Sequence, residues 1–151
     1  PSRVTIKESD VKISGSEVVT ASTAMGTVGL SICYDLRFPE LYRQLAFAGA
    51  RILTIPSAFT FPTGEAHWEI LIRARAVENQ CYVIAPAQFG LNVHGFSDYG
   101  NSMIADPWGR VVARAPDQEG VIVAPIDMEY LERVRRELPA LAHAQLRPNQ
   151  A

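Results

Sequence analysis

Cys33 ends an apolar run and begins a charged one, in the stretch Gly29-Leu30-Ser31-Ile32-Cys33-Tyr34-Asp35-Leu36-Arg37-Phe38-Pro39-Glu40. A thiol placed where a strand gives way to a turn can attack a carbonyl carbon, and the backbone N–H of Tyr34 would then face the oxygen on which negative charge develops. Free cysteine is also among the most buried residue types, so by composition alone Cys33 reads sooner as a structural thiol than as a nucleophile. Cys81, the second of two cysteines, fits that structural reading better. Arg37 carries a planar fork suited to a substrate carboxylate, although an ion pair with Asp35 or Glu40 would also occupy it. His67 invites a Cys–His dyad, but it falls at the start of a helical segment beside Trp68 and reads as structural. The three histidines, His67, His94 and His143, lie far apart and lack zinc-site spacing, so no metal is expected. No Gly-x-Gly-x-x-Gly and no phosphate loop occur, and no cofactor is expected.

Such residues need elements to hold them. Residues 27–33 form a short apolar run rich in β-branched side chains, and residues 39–50 carry Leu41, Leu45 and Ala48 at helical spacing with Pro39 in the first turn. A second strand is predicted over residues 51–57, a long helix over 65–79 with Trp68, Leu71, Ile72 and Ala76 on its apolar face, and a third strand over 81–87. Arg73, Arg75 and Glu78 on that helix read as a salt-bridged face. Strands apolar on both faces and separated by helices predict parallel βαβ crossovers. Beyond Phe89 the pattern changes to a polar loop over 89–98 and three short strands over 102–105, 110–115 and 121–126, with Asp106-Pro107-Trp108-Gly109 as a hairpin turn. Asp127 is placed to cap a last amphipathic helix over 128–138, and residues 139–151 read as loose or partner-bound.

With 151 residues, 48% hydrophobic and 20% charged, the chain is long enough for one domain with a core, and its net charge of -2 gives no electrostatic case for nucleic acid. Apolar runs are too short for a membrane helix, and no secretory signal is visible. A reducing cytoplasm is the expected location.

The segment from Gly29 to Glu40 resembles the nucleophile segment of the nitrilase superfamily of carbon-nitrogen hydrolases, near its ω-amidase and deaminated-glutathione-amidase branch. The resemblance continues through Pro56-Ser57-Ala58-Phe59, Thr63-Gly64-Glu65-Ala66-His67-Trp68-Glu69, Arg73-Ala74-Arg75-Ala76-Val77-Glu78-Asn79, Tyr99-Gly100-Asn101-Ser102, Asp106-Pro107-Trp108-Gly109 and Arg135-Arg136-Glu137-Leu138-Pro139. It implies an α/β fold, the C-terminal part of an αββα four-layer sandwich, with residues 1–151 as the C-terminal portion of a single hydrolase domain. It also implies a small-molecule amide substrate, no nucleic acid or membrane partner, and a homodimer or higher homo-oligomer. Cys33 takes the nucleophile position, Tyr34 the oxyanion position, and Glu8 the position of the family's second glutamate, while Phe59 and Thr63 stand where the family shapes its acyl pocket. Turn packing around Pro62 is the alternative for Phe59 and Thr63, disfavoured by Gly64 beside them, and an exposed loop carboxylate is the alternative for Glu8. The family's first glutamate and its lysine have no match, and Lys7 and Lys12, the only lysines, lack the surrounding pattern. The implied activity is hydrolysis of a small ω-amide; the alternative is a non-catalytic α/β subunit that associates through this fold. Residues 1–151 expressed alone are expected to aggregate or unfold and to hydrolyse no amide, with an upstream segment of roughly 100 residues restoring both properties.

Overall fold

The computed structural model describes residues 13–92 and 95–146. In chain order its elements are β1 (Thr20–Thr23), β2 (Gly26–Leu30), α1 (Pro39–Phe47), β3 (Ile52–Thr54), α2 (Phe61–Asn79), β4 (Tyr82–Ala85), β5 (Phe89–Leu91), β6 (Ser97–Tyr99), β7 (Met103–Ala105), β8 (Val111–Arg114), α3 (Met128–Glu137) and α4 (Ala140–His143). Six strands form one sheet in the order β1-β2-β3-β4-β7-β8, and β5 and β6 form a separate hairpin.

The centre of the sheet is parallel, as the doubly apolar runs predict. Val28 lies opposite Ile52 and Ile52 opposite Tyr82, with α1 and α2 as the crossovers. The flanks are antiparallel: β1 on β2, β7 on β4, and β8 on β7. The β7–β8 turn forms where the Asp-Pro-Trp-Gly signal placed it. One Asp106 carboxylate oxygen accepts the N–H groups of Trp108 and Arg110, each at 2.9 Å, and Gly109 takes the positive φ of 80° that the turn demands.

Strand alternation divides the apolar side chains between two faces. Leu53, Val83, Ala85, Met103 and Ala105 pack with Tyr42 and Leu45 of α1 and with Trp68, Ile72 and Ala76 of α2, all of them buried. Ile52 and Tyr82 face the other way and meet Leu131 of α3. The Trp68 indole N–H, which could not be buried unpaired without cost, donates to the Asn101 carbonyl at 2.8 Å. Asp127 caps α3 as expected, its side chain accepting the Tyr130 N–H at 2.8 Å.

Several elements differ from the sequence pattern. The run over 121–126 forms no strand, and Val121 and Val123 stand exposed; alternation alone makes no ladder where no neighbouring strand meets it. The loop over 89–98 instead holds the β5–β6 hairpin, with Phe89 opposite Tyr99. The strand expected over 27–33 is β2 and stops at Leu30, so Cys33 lies beyond it, and α2 begins at Phe61 rather than at residue 65. Pro62 is tolerated in that first turn because its missing N–H has no intrahelical partner there. The tail contains the short helix α4.

Candidate active site

After β2 the chain leaves the sheet over two residues and enters a single 3-10 turn, Cys33–Arg37. Ser31 anchors the approach: its hydroxyl donates to the Thr54 carbonyl at 2.9 Å and is 2.8 Å from the Tyr42 hydroxyl, which donates to it. Burial pushes the Tyr42 hydroxyl well above the usual phenol range, so it stays protonated and keeps that bond. The Cys33 N–H donates to the Pro56 carbonyl at 2.9 Å. Asp35 then closes the turn on itself, its carboxylate accepting the Ile32 N–H at 2.8 Å.

Cys33 itself has a φ of 46°, in the left-handed region that a β-carbon disfavours. Such a conformation costs about 1–3 kcal/mol and persists only where surrounding bonds over-determine it. Its thiol is partly exposed and lies 3.9 Å from the Ala58 carbonyl. The turn sits beyond the carboxyl ends of the parallel strands β2 and β3, the edge at which open α/β sheets receive ligands. Among the described residues the Tyr34 N–H has no hydrogen-bond partner. The turn therefore presents a partly exposed thiol and, one residue on, a backbone N–H that is unpaired among the described residues.

Arg37 ends the same turn. Its Nη1 donates to His67 Nδ1 at 3.3 Å, and its guanidinium lies 5.1 Å from the Phe59 ring centroid and 5.5 Å from that of Tyr34. Arginine can only donate, so Nδ1 accepts and the imidazole proton sits on Nε2. His67 is thus engaged with Arg37, not with Cys33. Among the described residues Arg37 forms no ion pair with Asp35 or Glu40, which leaves its charge unneutralised by a carboxylate. Phe59 is buried against Trp68, ring centroids 5.1 Å apart, beneath Arg37. Thr63 lies in the first turn of α2 with its hydroxyl on Thr60, 2.9 Å from Oγ1 and 3.1 Å from the carbonyl. Glu8, Lys7, Lys12 and His94 lie outside the described residues.

Cys81 is a structural thiol. It is fully buried, its sulfur lies 3.3 and 3.2 Å from the Ala50 and Asn79 carbonyl oxygens, either of which can accept its single S–H, and burial pushes its pKa up to about 11. Among the described residues no group of three His, Cys, Asp or Glu side chains could hold a metal ion, and no helix is long and apolar enough to cross a membrane.

The Arg75–Glu78 pair expected on α2 forms at 2.9 Å, and the structure adds that Arg75 is only 4% exposed. Its Nε and Nη2 donate to the Leu36 carbonyl at 3.1 and 2.7 Å, its Nη1 to Glu78 at 2.9 Å, and its guanidinium lies 5.3 Å from the Tyr42 ring centroid. The signal was present in the helical period, since Arg75 follows Trp68 by seven residues and Ile72 by three and so falls on the apolar face.

Residues 1–136 match the family model described as carbon-nitrogen hydrolase. The chain is 50% identical over 144 residues to a deaminated glutathione amidase of Bos taurus, covering 95% of this chain and 44% of that protein. The crystal structure of the C. elegans NitFhit protein has a TM-score of 0.90 at 46% identity, over 96% of this chain and 35% of that one. A mutant amidase from Nesterenkonia sp. AN1, bearing acrylamide added at its active site cysteine, has a TM-score of 0.69 at 29% identity, over 84% of this chain and 50% of that one. The chain belongs to the carbon-nitrogen hydrolases of the nitrilase superfamily. It spans less than half the length of the bovine relative.

Proposed function

We propose that this chain carries the nucleophile of an amidase that hydrolyses a small ω-amide to carboxylic acid and ammonia. The observation that carries this is Cys33: a partly exposed thiol held at a φ of 46° beyond the parallel strands, next to the Tyr34 N–H, which is unpaired among the described residues. In the proposed reaction Sγ adds to the amide carbonyl carbon as its proton passes to a base, and the Tyr34 N–H donates to the oxyanion. The C–N bond then breaks, nitrogen takes up a proton and leaves as ammonia, and water attacks the thioester to release the acid and restore the thiol. Glu8 is proposed as the supporting carboxylate, and the base and the lysine are proposed to come from outside the described residues. Arg37, with no carboxylate partner among the described residues, is proposed to receive a substrate carboxylate, with Phe59 and Thr63 beside it. The acrylamide adduct of the Nesterenkonia amidase supports a reactive thiol at such a site, and the bovine relative's name supports an amide substrate.

The test is selective alkylation of the folded full-length protein near neutral pH. Iodoacetamide is expected to label Cys33 much faster than Cys81 and to abolish ammonia release in step with that labelling. Equal slow labelling of both thiols, or full activity after Cys33 is alkylated, would overturn the assignment.

A further inference from the structure

We propose that Arg75 is a positioning residue for the nucleophile turn, gripping the Leu36 carbonyl so that Cys33 stays left-handed and the Tyr34 N–H stays aimed at the carbonyl under attack. This rests on Cys33 being the nucleophile. The last carbonyls of a short helical turn have no partner within it, and Leu36, fully buried, has no water to turn to. Two N–H groups of one guanidinium meet that carbonyl, at 3.1 and 2.7 Å. A nearly buried arginine is costly unless its charge and donors are satisfied. Here Glu78 supplies the counter-charge at 2.9 Å and the Tyr42 ring supplies a face at 5.3 Å. An ion pair with Glu78 alone could form on the helix surface; the reach across to Leu36 is what burial of the guanidinium adds.

The same network holds the other end of the turn. Tyr42, over which Arg75 lies, donates to Ser31 two residues before Cys33, and Ser31 is tied to Thr54. Leu36 is three residues after Cys33. The strained residue is thus bracketed by α1, α2 and the exit of β3, with the Cys33 N–H on Pro56 between the two anchors. Lysine could restore the charge but not a planar pair of donors on one oxygen.

The experiment compares Arg75→Lys, Glu78→Gln and Cys33→Ala in the full-length protein, measuring kcat and KM for ammonia release from a short monoamide acid, the rate of Cys33 alkylation, and the thermal transition. Arg75→Lys is expected to lower kcat about 100-fold with KM changed little, because a nucleophile displaced by about 1 Å loses its attack geometry while substrate contacts remain. Alkylation of Cys33 is expected to slow as well. Glu78→Gln removes the ion pair but leaves both bonds to Leu36, so it is expected to melt lower while kcat stays within about threefold. Where Arg75→Lys folds poorly, Arg75→Gln, whose donors sit on a single, shorter-reaching nitrogen, is expected to show the same split. Wild-type kcat per folded molecule in the Arg75 variants, or an equal loss in Glu78→Gln, would overturn the assignment of Arg75. An active Cys33→Ala would overturn the nucleophile itself; an inactive Cys33→Ala beside an unaffected Arg75→Lys would overturn Arg75 alone.

Discussion

Replacing Cys33 by glycine should stabilise the fold relative to replacing it by alanine, although both variants lose the thiol. At a φ of 46° the alanine β-carbon meets the same crowding as that of cysteine, which costs an L-residue about 1–2 kcal/mol in the left-handed region. Glycine escapes that crowding but loses about 0.5–1 kcal/mol more backbone freedom on folding than alanine. The difference leaves glycine ahead by roughly 0.5–1 kcal/mol, whereas at an ordinary position it would trail alanine by about the same amount. For a domain of about 150 residues this is a gap of about 1–4 °C in melting temperature. The assay is thermal and urea denaturation of the two variants in the full-length protein, side by side with wild type. The sign decides: an alanine variant as stable as the glycine variant, or more so, would refute the strained geometry at Cys33.

Other consequences follow from particular contacts. A β-carbon at Gly64 would lie 2.2, 2.4 and 2.7 Å from Tyr99 Cβ, Cγ and Cδ1, so Gly64→Ala must push α2 away from β6 and should cost about 3 kcal/mol in denaturation, the upper end for overpacking; a neutral result would contradict that packing. Arg37→Ala should raise KM for an ω-monoamide acid and leave a neutral amide of similar size little changed, since only the acid loses a charge-assisted pair; equal loss on both would mark Arg37 as structural. Cys81, with its folded pKa raised from 9.0 to about 11, stays a thiol in the fold where it would ionise in the unfolded chain. Its contribution is therefore complete below about pH 9 and is lost as the pH rises through about 11. The stability gap between wild type and Cys81→Ala, measured by denaturant at pH 8 and pH 10.5, should shrink accordingly; a gap constant with pH would show that Cys81 titrates alike in both states.

The parallel centre of the sheet and its two crossover helices were legible because buried strands and amphipathic helices leave strong periods, and Asp106 to Gly109 was legible because its turn chemistry is local. The start of α2 was not, since Phe61-Pro62-Thr63-Gly64 has turn composition; it is helical because Pro62 suits a first turn and Gly64 admits Tyr99. Residues 121–126 carried a strand's alternation, but a ladder needs a neighbour that sequence does not supply. At the site, the residue types of Cys33, Tyr34 and Arg37 were readable, while the left-handed backbone at Cys33 was not, because nothing in a non-glycine residue announces positive φ. The pairing of Arg75 with Glu78 was legible from their i,i+3 spacing, while the burial of Arg75 and its reach to the Leu36 carbonyl depend on a turn that lies far away in sequence.

The central claim is a thioester at Cys33. Full-length protein mixed with a short ω-monoamide acid, quenched in acid within the first turnovers and digested, should yield the Cys33 peptide carrying the acyl group of the substrate, removable by hydroxylamine, while the Cys81 peptide stays unmodified and ammonia release matches the acyl group formed. Ammonia release with no acyl group on Cys33 at any quench time, together with undiminished turnover in Cys33→Ala, would contradict it.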